Sequence, residues 1–453
     1  MSKLLFTFLF VLCACASIPD DHAEDDAPAE GESPAVAIEL ELRRLVESRG
    51  TLWPGFDPLS IPLAISDGAR TFLFRHPSPP DGFSPSDAAS TAHVMEGRHE
   101  AITANTAVEI GGVLTATLLL DSRRPLDSVT DLAATAVHEA FHADQRANHP
   151  SWGANEADLF VYPTDDAELL ALRRMETAAL RWALAAGESE ESRCWSRTAL
   201  QLRKERYERM DDPFAAYERG TELNEGLATW VEMKAAGRTD LDLSTTFGPA
   251  EIRRRAYSTG PALALLLDRF SAKWEAELDS SSAASLDEAL LIAAGTGPAC
   301  ALPEDLIARL RREAVADVDD LIAERVRRLH AFEQATGWRI VVDAGSGEPL
   351  WPQGFDPLNV ERLEPARVLH SRFLRAGNGA GVLEILNARA LTEGVGPHPL
   401  FQGFRRVVVT GLPEPVVTQE GETVSVRAPG VTLDFKNSSV SRNGEVITVR
   451  LGS

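Results

Sequence analysis

The sequence is short of several features that would assign a protein class directly. Four cysteines in 453 residues are too few for a disulfide scaffold. After residue 18 there is no long apolar run, which argues against a multi-pass membrane protein. Basic residues are outnumbered by acidic ones, 45 to 68, and the net charge of −23 makes nucleic acid an unfavourable partner. Hydrophobic residues at 44% and charged residues at 25% are typical of a soluble globular chain with two to four domains.

Three common catalytic signatures are also absent. The chain has no Gly-x-Ser-x-Gly nucleophile elbow, no glycine-rich phosphate-binding loop and no Cys-x-x-Cys pair. The sequence therefore gives no support to serine-nucleophile hydrolysis, P-loop nucleotide chemistry or thiol redox chemistry.

The N-terminus predicts export. The apolar run Leu4–Ile18 follows Lys3 and is too short for a comfortable membrane span, as in a secretory signal. Its end, Leu12-Cys13-Ala14-Cys15, resembles the bacterial lipobox, and the resemblance implies a lipid on Cys15. The alternative is a plain signal peptide cut near Ala16. We expect an exported protein, either lipid-anchored to the bacterial envelope, with the outer membrane the first choice, or secreted.

The composition divides the rest of the chain. Residues 19–36 are rich in Asp, Glu, Ala and Pro with almost no apolar bulk, which predicts a disordered tether. The fold class expected beyond it is α+β. The predicted segments are a signal peptide with lipobox at 1–18, the acidic tether at 19–36, a strand-rich part at 37–127, a helical domain at 128–336 and a β-rich C-terminal domain at 337–453.

Apolar periodicity, together with the residues that begin or end helices and strands, predicts individual secondary-structure elements. Thr71 to Asp121 has the alternation of strands. The predicted helices are Ser128–Asn148, Asp166–Ala186, Ser189–Met210, Pro213–Ala236, Pro249–Glu277, Leu286–Ala294 and Pro303–Thr336. The predicted C-terminal strands are Arg339–Asp343, Arg406–Gly411, Pro415–Gln419, Thr423–Arg427, Val431–Phe435 and Glu445–Leu451.

Two features leave alternatives open. The segments Leu52–Leu59 and Leu350–Leu358 share the sequence Leu-Trp-Pro-Gly-Phe-Asp-Pro-Leu. The second copy has one Gln inserted after its Leu-Trp-Pro. A shared structural turn, with Trp and Phe in a core, is favoured over a duplicated ligand-binding loop. Cys194 and Cys300 could pair in an oxidising compartment, but the sequence does not show whether they are close.

The most informative motif is His138-Glu139-Ala140-Phe141-His142, of the form H-E-x-x-H. The run before it contains no Gly or Pro and favours a helix. On a helix, residues four apart share a face, so His138 and His142 can offer two imidazoles to one Zn²⁺. Glu139 is displaced by one position, where it can reach a water molecule as a general base. His149, Asp144 and Asp165 are candidates for outer partners of such a site, and nothing separates them.

Two downstream segments resemble a known family. Asn224-Glu225-Gly226 resembles the Asn-Glu-Gly segment of gluzincin metallopeptidases, in particular the membrane alanyl aminopeptidase family. The resemblance implies that Glu225 is the third ligand, although Glu222 on the same face remains an alternative. Ala256-Tyr257-Ser258-Thr259-Gly260 resembles the Tyr-x-x-Gly segment of that family, which implies that Tyr257 stabilises the oxyanion. The Gly-x-Met-Glu-Asn loop of the family is not recognisable, so aminopeptidase specificity is not implied.

These observations predict an exported zinc metallopeptidase of the gluzincin type, with one Zn²⁺ per chain and a peptide or protein as substrate. The helical domain would then be zincin-like. The strand ending at Leu118–Leu120 is expected to be an edge strand that pairs with an extended substrate. The alternatives are a non-catalytic envelope lipoprotein that keeps the scaffold for binding, and hydrolysis of a non-peptide amide.

Overall fold

The computed structural model describes residues 33–86, 92–120, 128–280, 285–356 and 359–452. They form two compact units. The first contains the described residues up to Leu159 together with Glu168–Ala314, and the second contains Phe160–Ala167 and the described residues from Val315 onward. The mixed α+β class is confirmed, with a strand-rich N-terminal part, a helical middle and a β-rich C-terminal part.

Helices dominate the described middle of the chain. Their bounds are α1 Pro34–Arg49, α2 Val129–Asn148, α3 Glu156–Val161, α4 Ala167–Ala185, α5 Glu190–Tyr207, α6 Asp212–Thr221, α7 Leu227–Ala236, α8 Ile252–Phe270, α9 Trp274–Asp279, α10 Leu286–Ala294 and α11 Glu304–Glu333.

Local chemistry explains where several helices begin. The side chain of Ser128 accepts a hydrogen bond from the Asp131 backbone N–H at the start of α2, and Ser189 does the same for Ser192 in α5. α1 begins at Pro34, a residue that suits a first turn, and so lies partly inside the predicted tether 19–36. Residues 1–32, which include the predicted signal, lie outside the described residues.

Two predicted helices are divided. The predicted helix Pro213–Ala236 is interrupted by a π-helical turn, Glu222–Gly226, between α6 and α7. The predicted helix Pro249–Glu277 ends at Phe270 and restarts as α9. Apolar periodicity does not register the second break, because α8 and α9 both pack into the same apolar core.

A six-stranded sheet precedes α2 in the first unit. Its strands are β1 Leu63–Ser66, β2 Arg70–Phe74, β3 Ser84–Pro85, β4 Ala92–Glu96, β5 Thr106–Ile110 and β6 Val113–Leu119. Their order is β3-β4-β2-β1-β6-β5, with β1 and β6 parallel and the other pairs antiparallel. The expectation that the strand ending at Leu118–Leu120 is an edge strand is wrong, because β6 lies between β1 and β5. The edge strand on this side is β5.

The first copy of the repeated segment anchors the helix that carries the H-E-x-x-H motif. Trp53 is fully buried and makes edge-to-face contacts with Phe141, Trp152 and Trp274, at centroid distances of 5.6 to 5.8 Å. Phe56 contacts Phe141 as well. Since Phe141 stands between Glu139 and His142 in the sequence, this aromatic cluster holds the motif against the core.

The second unit contains two sheets after α11. The strands are β7 Trp338–Asp343, β8 Trp351–Phe355, β9 Val360–Glu364, β10 Arg367–His370, β11 Phe373–Asn378, β12 Gly381–Leu386, β13 Ala390–Gly394, β14 Phe404–Leu412, β15 Val416–Glu420, β16 Thr423–Ala428, β17 Val431–Phe435, β18 Ser438–Asn443 and β19 Val446–Leu451. One sheet has the order β18-β19-β7-β14-β13-β10-β9 and the other β15-β16-β17-β12-β11-β8.

Alternating apolar side chains from both sheets form one core in this unit, Val342 and Val407 from the first sheet and Leu374 and Val426 from the second among them. The second copy of the repeat differs from the first, because Trp351 is 44% exposed in β8. The two copies therefore do not occupy equivalent environments.

Cys194 and Cys300 form a disulfide in the first unit, which settles the open pairing. It joins α5 to the segment before α11 across 106 residues of sequence. No helix within the described ranges combines the length and the apolar composition that a bilayer crossing requires.

Candidate metal centre

α2 presents the H-E-x-x-H residues on its buried side. His138, Glu139 and His142 are each less than 10% exposed. The two imidazole rings lie 4.7 Å apart between centroids and nearly perpendicular to each other. One turn of helix between the two histidines brings both rings to the same side, as the spacing predicts.

Glu225 reaches the same place from the π-helical turn Glu222–Gly226. A π turn inserts one residue into a helix and changes the direction of the side chains around it, and such turns are frequent at functional sites. Glu225 is 2% exposed. Its carboxylate Oε2 lies 3.4 Å from His142 Nε2 and 3.8 Å from His138 Nε2.

A close helix crossing sets the position of this turn. A Cβ atom added to Gly226 would lie 2.7 Å from the Cα of Gly260, and one added to Gly260 would lie 2.4 Å from the Cα of Gly226. The two glycines therefore let the π turn and α8 touch backbone to backbone. The crossing explains why each of the two downstream motifs contains a glycine, and it brings Tyr257 of α8 to Glu225.

The three predicted ligands form one buried group. One donor atom from each of His138, His142 and Glu225 can be chosen so that all lie within 4.8 Å of one another. Two imidazole nitrogens and one carboxylate oxygen are a donor set that first-row divalent metals accept. This group could hold a metal ion.

Outer partners orient both imidazoles, and the sequence analysis did not identify them. His138 Nδ1 lies 3.0 Å from Glu232 Oε2, and His142 Nδ1 lies 2.8 Å from Gln145 Oε1. Gln145 in turn donates to the backbone carbonyls of Leu223 and Asn224 in the π turn, so α2 and the turn are tied together. With each Nδ1 engaged, the Nε2 atoms are directed to Glu225, as in metal sites with outer acceptors.

The environment of Glu225 favours its ionised form. Burial opposes the charge, but His142, His138 and Arg253 outweigh it and hold the pKa of the Glu225 carboxyl well below its ordinary value. Arg253 donates to Oε1, and the Tyr257 hydroxyl donates to Oε2 at 2.7 Å. This direction favours the ionised carboxylate, which is the form that binds a cation.

The pKa of the Glu139 carboxyl is shifted in the opposite direction to that of Glu225. Burial raises the pKa of its carboxyl, and the nearby Glu225 and Glu232 carboxylates add to the effect, against the lowering influence of His138 and His142. Its Oε1 atom is buried and has no hydrogen-bond partner among the described residues. A carboxyl group with a raised pKa beside a ligand group is suited to accept and return a proton.

Glu222, the alternative third ligand, faces a different partner set. Its two carboxylate oxygens accept hydrogen bonds of 2.7 Å from Arg203, and Thr259 donates to Oε1 at 2.6 Å. It belongs to a buried ion network, the Glu222 network, made of three glutamates and three arginines: Glu176, Glu218, Glu222, Arg203, Arg206 and Arg255. The structure therefore groups Glu225, and not Glu222, with the two histidines.

Of the other predicted residues, Tyr257 lies at the group and the three outer candidates have other contacts. The Tyr257 ring lies parallel to His138 at 6.4 Å between centroids. His149 pairs with Asp279 at 3.0 Å and stacks on Trp152, and Asp144 accepts a hydrogen bond from Asn148. Asp165 belongs to the second unit.

Comparisons of the chain with protein-family models, with curated proteins and with solved structures find no match. The functional interpretation therefore depends on the geometry of the chain's own residues.

Proposed function

We propose that the protein is a zinc-dependent peptidase of the gluzincin type, with His138, His142 and Glu225 as the ligands of one zinc ion. The observation that carries the proposal is the buried group of these three donors, together with the buried Glu139, which follows His138 in the sequence and interacts electrostatically with all three. A set of two imidazoles and one glutamate is typical of catalytic zinc, because three protein ligands leave a position open. On this proposal, the helical part of the first unit is a zincin-like catalytic region.

On this proposal, different residues of the chain perform the proton transfer and the stabilisation of the oxyanion. A bound zinc ion supplies Lewis acidity for the substrate carbonyl and for a water molecule. Glu139 removes a proton from the attacking water and passes it to the leaving amine nitrogen, a transfer that a raised pKa favours. Tyr257 donates its hydroxyl to the developing oxyanion, and for this it exchanges its present acceptor, Glu225 Oε2, for the substrate.

The substrate would lie along the edge strand of the first sheet. Arg146 of α2 donates to the carbonyl of Ala107 in β5, so this edge lies beside the helix that carries the two histidines. An extended peptide can add to an edge strand through main-chain hydrogen bonds. We therefore place the substrate along β5 and not along β6.

We also propose that the protein works outside the cytoplasm, held at a membrane surface by a lipid on Cys15. The observation that supports export is the disulfide between Cys194 and Cys300, because such bonds persist in oxidising compartments. The substrates are then peptides or proteins of the envelope or beyond it. Nucleic acid is not an expected partner at a net charge of −23.

The proposal is tested by cleavage of unfolded protein and of peptides by the purified full chain, as wild type and as Glu139→Gln. Loss of the general base should lower kcat by about 10²- to 10⁴-fold while zinc stays bound, since Glu139 is not a ligand. Glu47→Gln is the matched control, because Glu47 is an exposed residue of α1.

Equal turnover by wild type and Glu139→Gln would overturn the peptidase mechanism. Zinc binding with no cleavage of any peptide by the wild type would instead favour a non-catalytic binding protein or hydrolysis of another amide.

A further inference from the structure

The two oxygens of the Glu225 carboxylate have different partners. Oε2 faces the Nε2 atoms of both histidines, at 3.4 and 3.8 Å. Oε1 accepts a hydrogen bond from Arg253 Nη2. Nothing in the H-E-x-x-H, Asn-Glu-Gly or Tyr-x-x-Gly motifs requires an arginine at this position.

Arg253 is itself held in place. Its second terminal nitrogen, Nη1, donates to Glu156 Oε1, and Glu156 Oε2 accepts a hydrogen bond from Tyr217 at 3.3 Å. The guanidinium is therefore fixed between two carboxylates from α3 and the π turn. Arg253 lies one turn before Tyr257 on α8, so a single helix supplies a donor to each oxygen of Glu225.

We propose that Arg253 is a positioning residue that occupies Oε1 of Glu225, so that the carboxylate offers a metal ion Oε2 alone. The inference rests on the proposed metal site. A glutamate can bind a metal through one oxygen or through both, and a charged hydrogen bond to one oxygen selects the first mode. One-oxygen ligation keeps the protein ligands at three atoms and leaves room for water and substrate.

The charges around Arg253 explain why an arginine is required. A guanidinium fork can bind two carboxylates with separate nitrogens at fixed angles, which an ammonium group cannot do. If the guanidinium is removed, Oε1 is left buried without its charged donor, which is costly. The carboxylate then satisfies Oε1 by turning both oxygens to the metal.

Cobalt substitution tests this inference without a measurement of activity. Full-length wild type and Arg253→Met are loaded with Co²⁺, and the visible spectrum and the Kd for the metal are measured. We expect Arg253→Met to show about a twofold or larger loss of visible absorption, because an added ligand atom raises the coordination number above four. We also expect a Kd about 10 to 100 times higher, as for the loss of other outer partners.

Two further variants complete the design. Arg254→Met is the matched control, since Arg254 is the next residue of α8 and its side chain is 70% exposed. Glu156→Gln, which removes the charge that holds Arg253, should shift the spectrum in the same direction but less. It also carries the test if Arg253→Met fails to fold.

The outcomes separate the two proposals. Wild type that binds no Co²⁺ overturns the metal site and this inference together. Wild type that binds Co²⁺ while Arg253→Met and Glu156→Gln keep its spectrum and its Kd overturns the role of Arg253 alone.

Discussion

Two buried carboxylates three residues apart, Glu222 and Glu225, serve different ends in the same π-helical turn. Glu222 is matched by a bidentate arginine, and its network balances three glutamates with three arginines. Glu225 faces two imidazoles, and the residues around it, Glu139, Glu156, Glu232 and Arg253, leave an excess of carboxylates over guanidinium groups. A balanced cluster stabilises structure, whereas a cluster that combines excess negative charge with two imidazoles suits a divalent cation.

The largest expected effect comes from unbalancing the Glu222 network. Arg203→Met removes the guanidinium that pairs with both Glu176 and Glu222 and leaves buried carboxylates without it. We expect a loss of about 3–5 kcal/mol of unfolding free energy in urea titrations. Lys204→Met is the control, because Lys204 is the next residue and is 74% exposed. If both variants unfold at the same urea concentration, the network does not stabilise the fold.

Metal should stabilise the fold through His138, His142 and Glu225, and not through the Glu222 network. Zinc at 100 times its Kd should raise the unfolding free energy of the wild type by about 2.7 kcal/mol, because only the folded state has the site. In Glu225→Gln the increase should largely disappear, whereas in Lys204→Met it should be complete. An equal increase in Glu225→Gln would place the zinc somewhere other than at His138, His142 and Glu225.

The close contact between Gly226 and Gly260 affects both clusters, because it holds the π-helical turn that carries Glu222 and Glu225. Gly260→Ala introduces a Cβ that lies 2.4 Å from the Cα of Gly226. We expect a loss of about 1–3 kcal/mol of stability from overpacking, with weaker metal binding because Glu225 is displaced. Gly153→Ala is the control, since its added Cβ meets nothing within 4 Å. A Gly260→Ala protein with wild-type stability and metal affinity would refute this account of the crossing.

The smallest expected effect is a dependence on pH, which should differ between the Glu222 network and the group of His138, His142 and Glu225. Burial opposes the charge of Glu176, but Arg203, Arg255 and Arg206 outweigh it and hold the pKa of its carboxyl well below the ordinary 4.5. Its stabilising contribution is therefore complete above pH 4.5 and is lost as the pH falls below that value, at up to about 1.4 kcal/mol per pH unit. Metal affinity should also fall on acidification, and should begin to fall at a higher pH than the Glu176 contribution does, because protons compete with the metal for the imidazole nitrogens.

Urea titrations with a chelator present, at pH 7 to 3, measure the first effect, and metal titrations over the same range measure the second. Unfolding free energy that stays constant down to pH 3 would contradict the assignment of Glu176. Metal affinity that stays constant down to pH 4.5 would contradict imidazole ligation.

Local patterns predicted the parts of the site that lie within one helix or one short motif. The four-residue spacing placed His138 and His142 on one side of α2, and the Asn-Glu-Gly resemblance pointed to Glu225. The choice between Glu222 and Glu225 stayed open, because both lie near one face of the predicted helix Pro213–Ala236. It depends on where α5 places Arg203, which no local pattern indicates.

The residues that the sequence analysis missed act across long stretches of sequence. Glu232 lies 94 positions from His138, and Arg253 lies 28 positions from Glu225. Gln145 is the exception: it stands three residues after His142 on the same helix face, a signal that could have identified it. Strands β8 to β13 and β18 were missed; the pairings of β9 with β10 and of β8 with β11 contain register irregularities, which a two-residue alternation does not show.

The most direct test of the central claim is the metal content of the purified full chain, measured by elemental mass spectrometry after exposure to a mixture of divalent metals. We predict one zinc ion per wild-type chain and per Glu47→Gln chain, and far less than one per Glu225→Gln chain. Wild type without zinc, or Glu225→Gln with one zinc ion per chain, would contradict the assignment of His138, His142 and Glu225 as a zinc site.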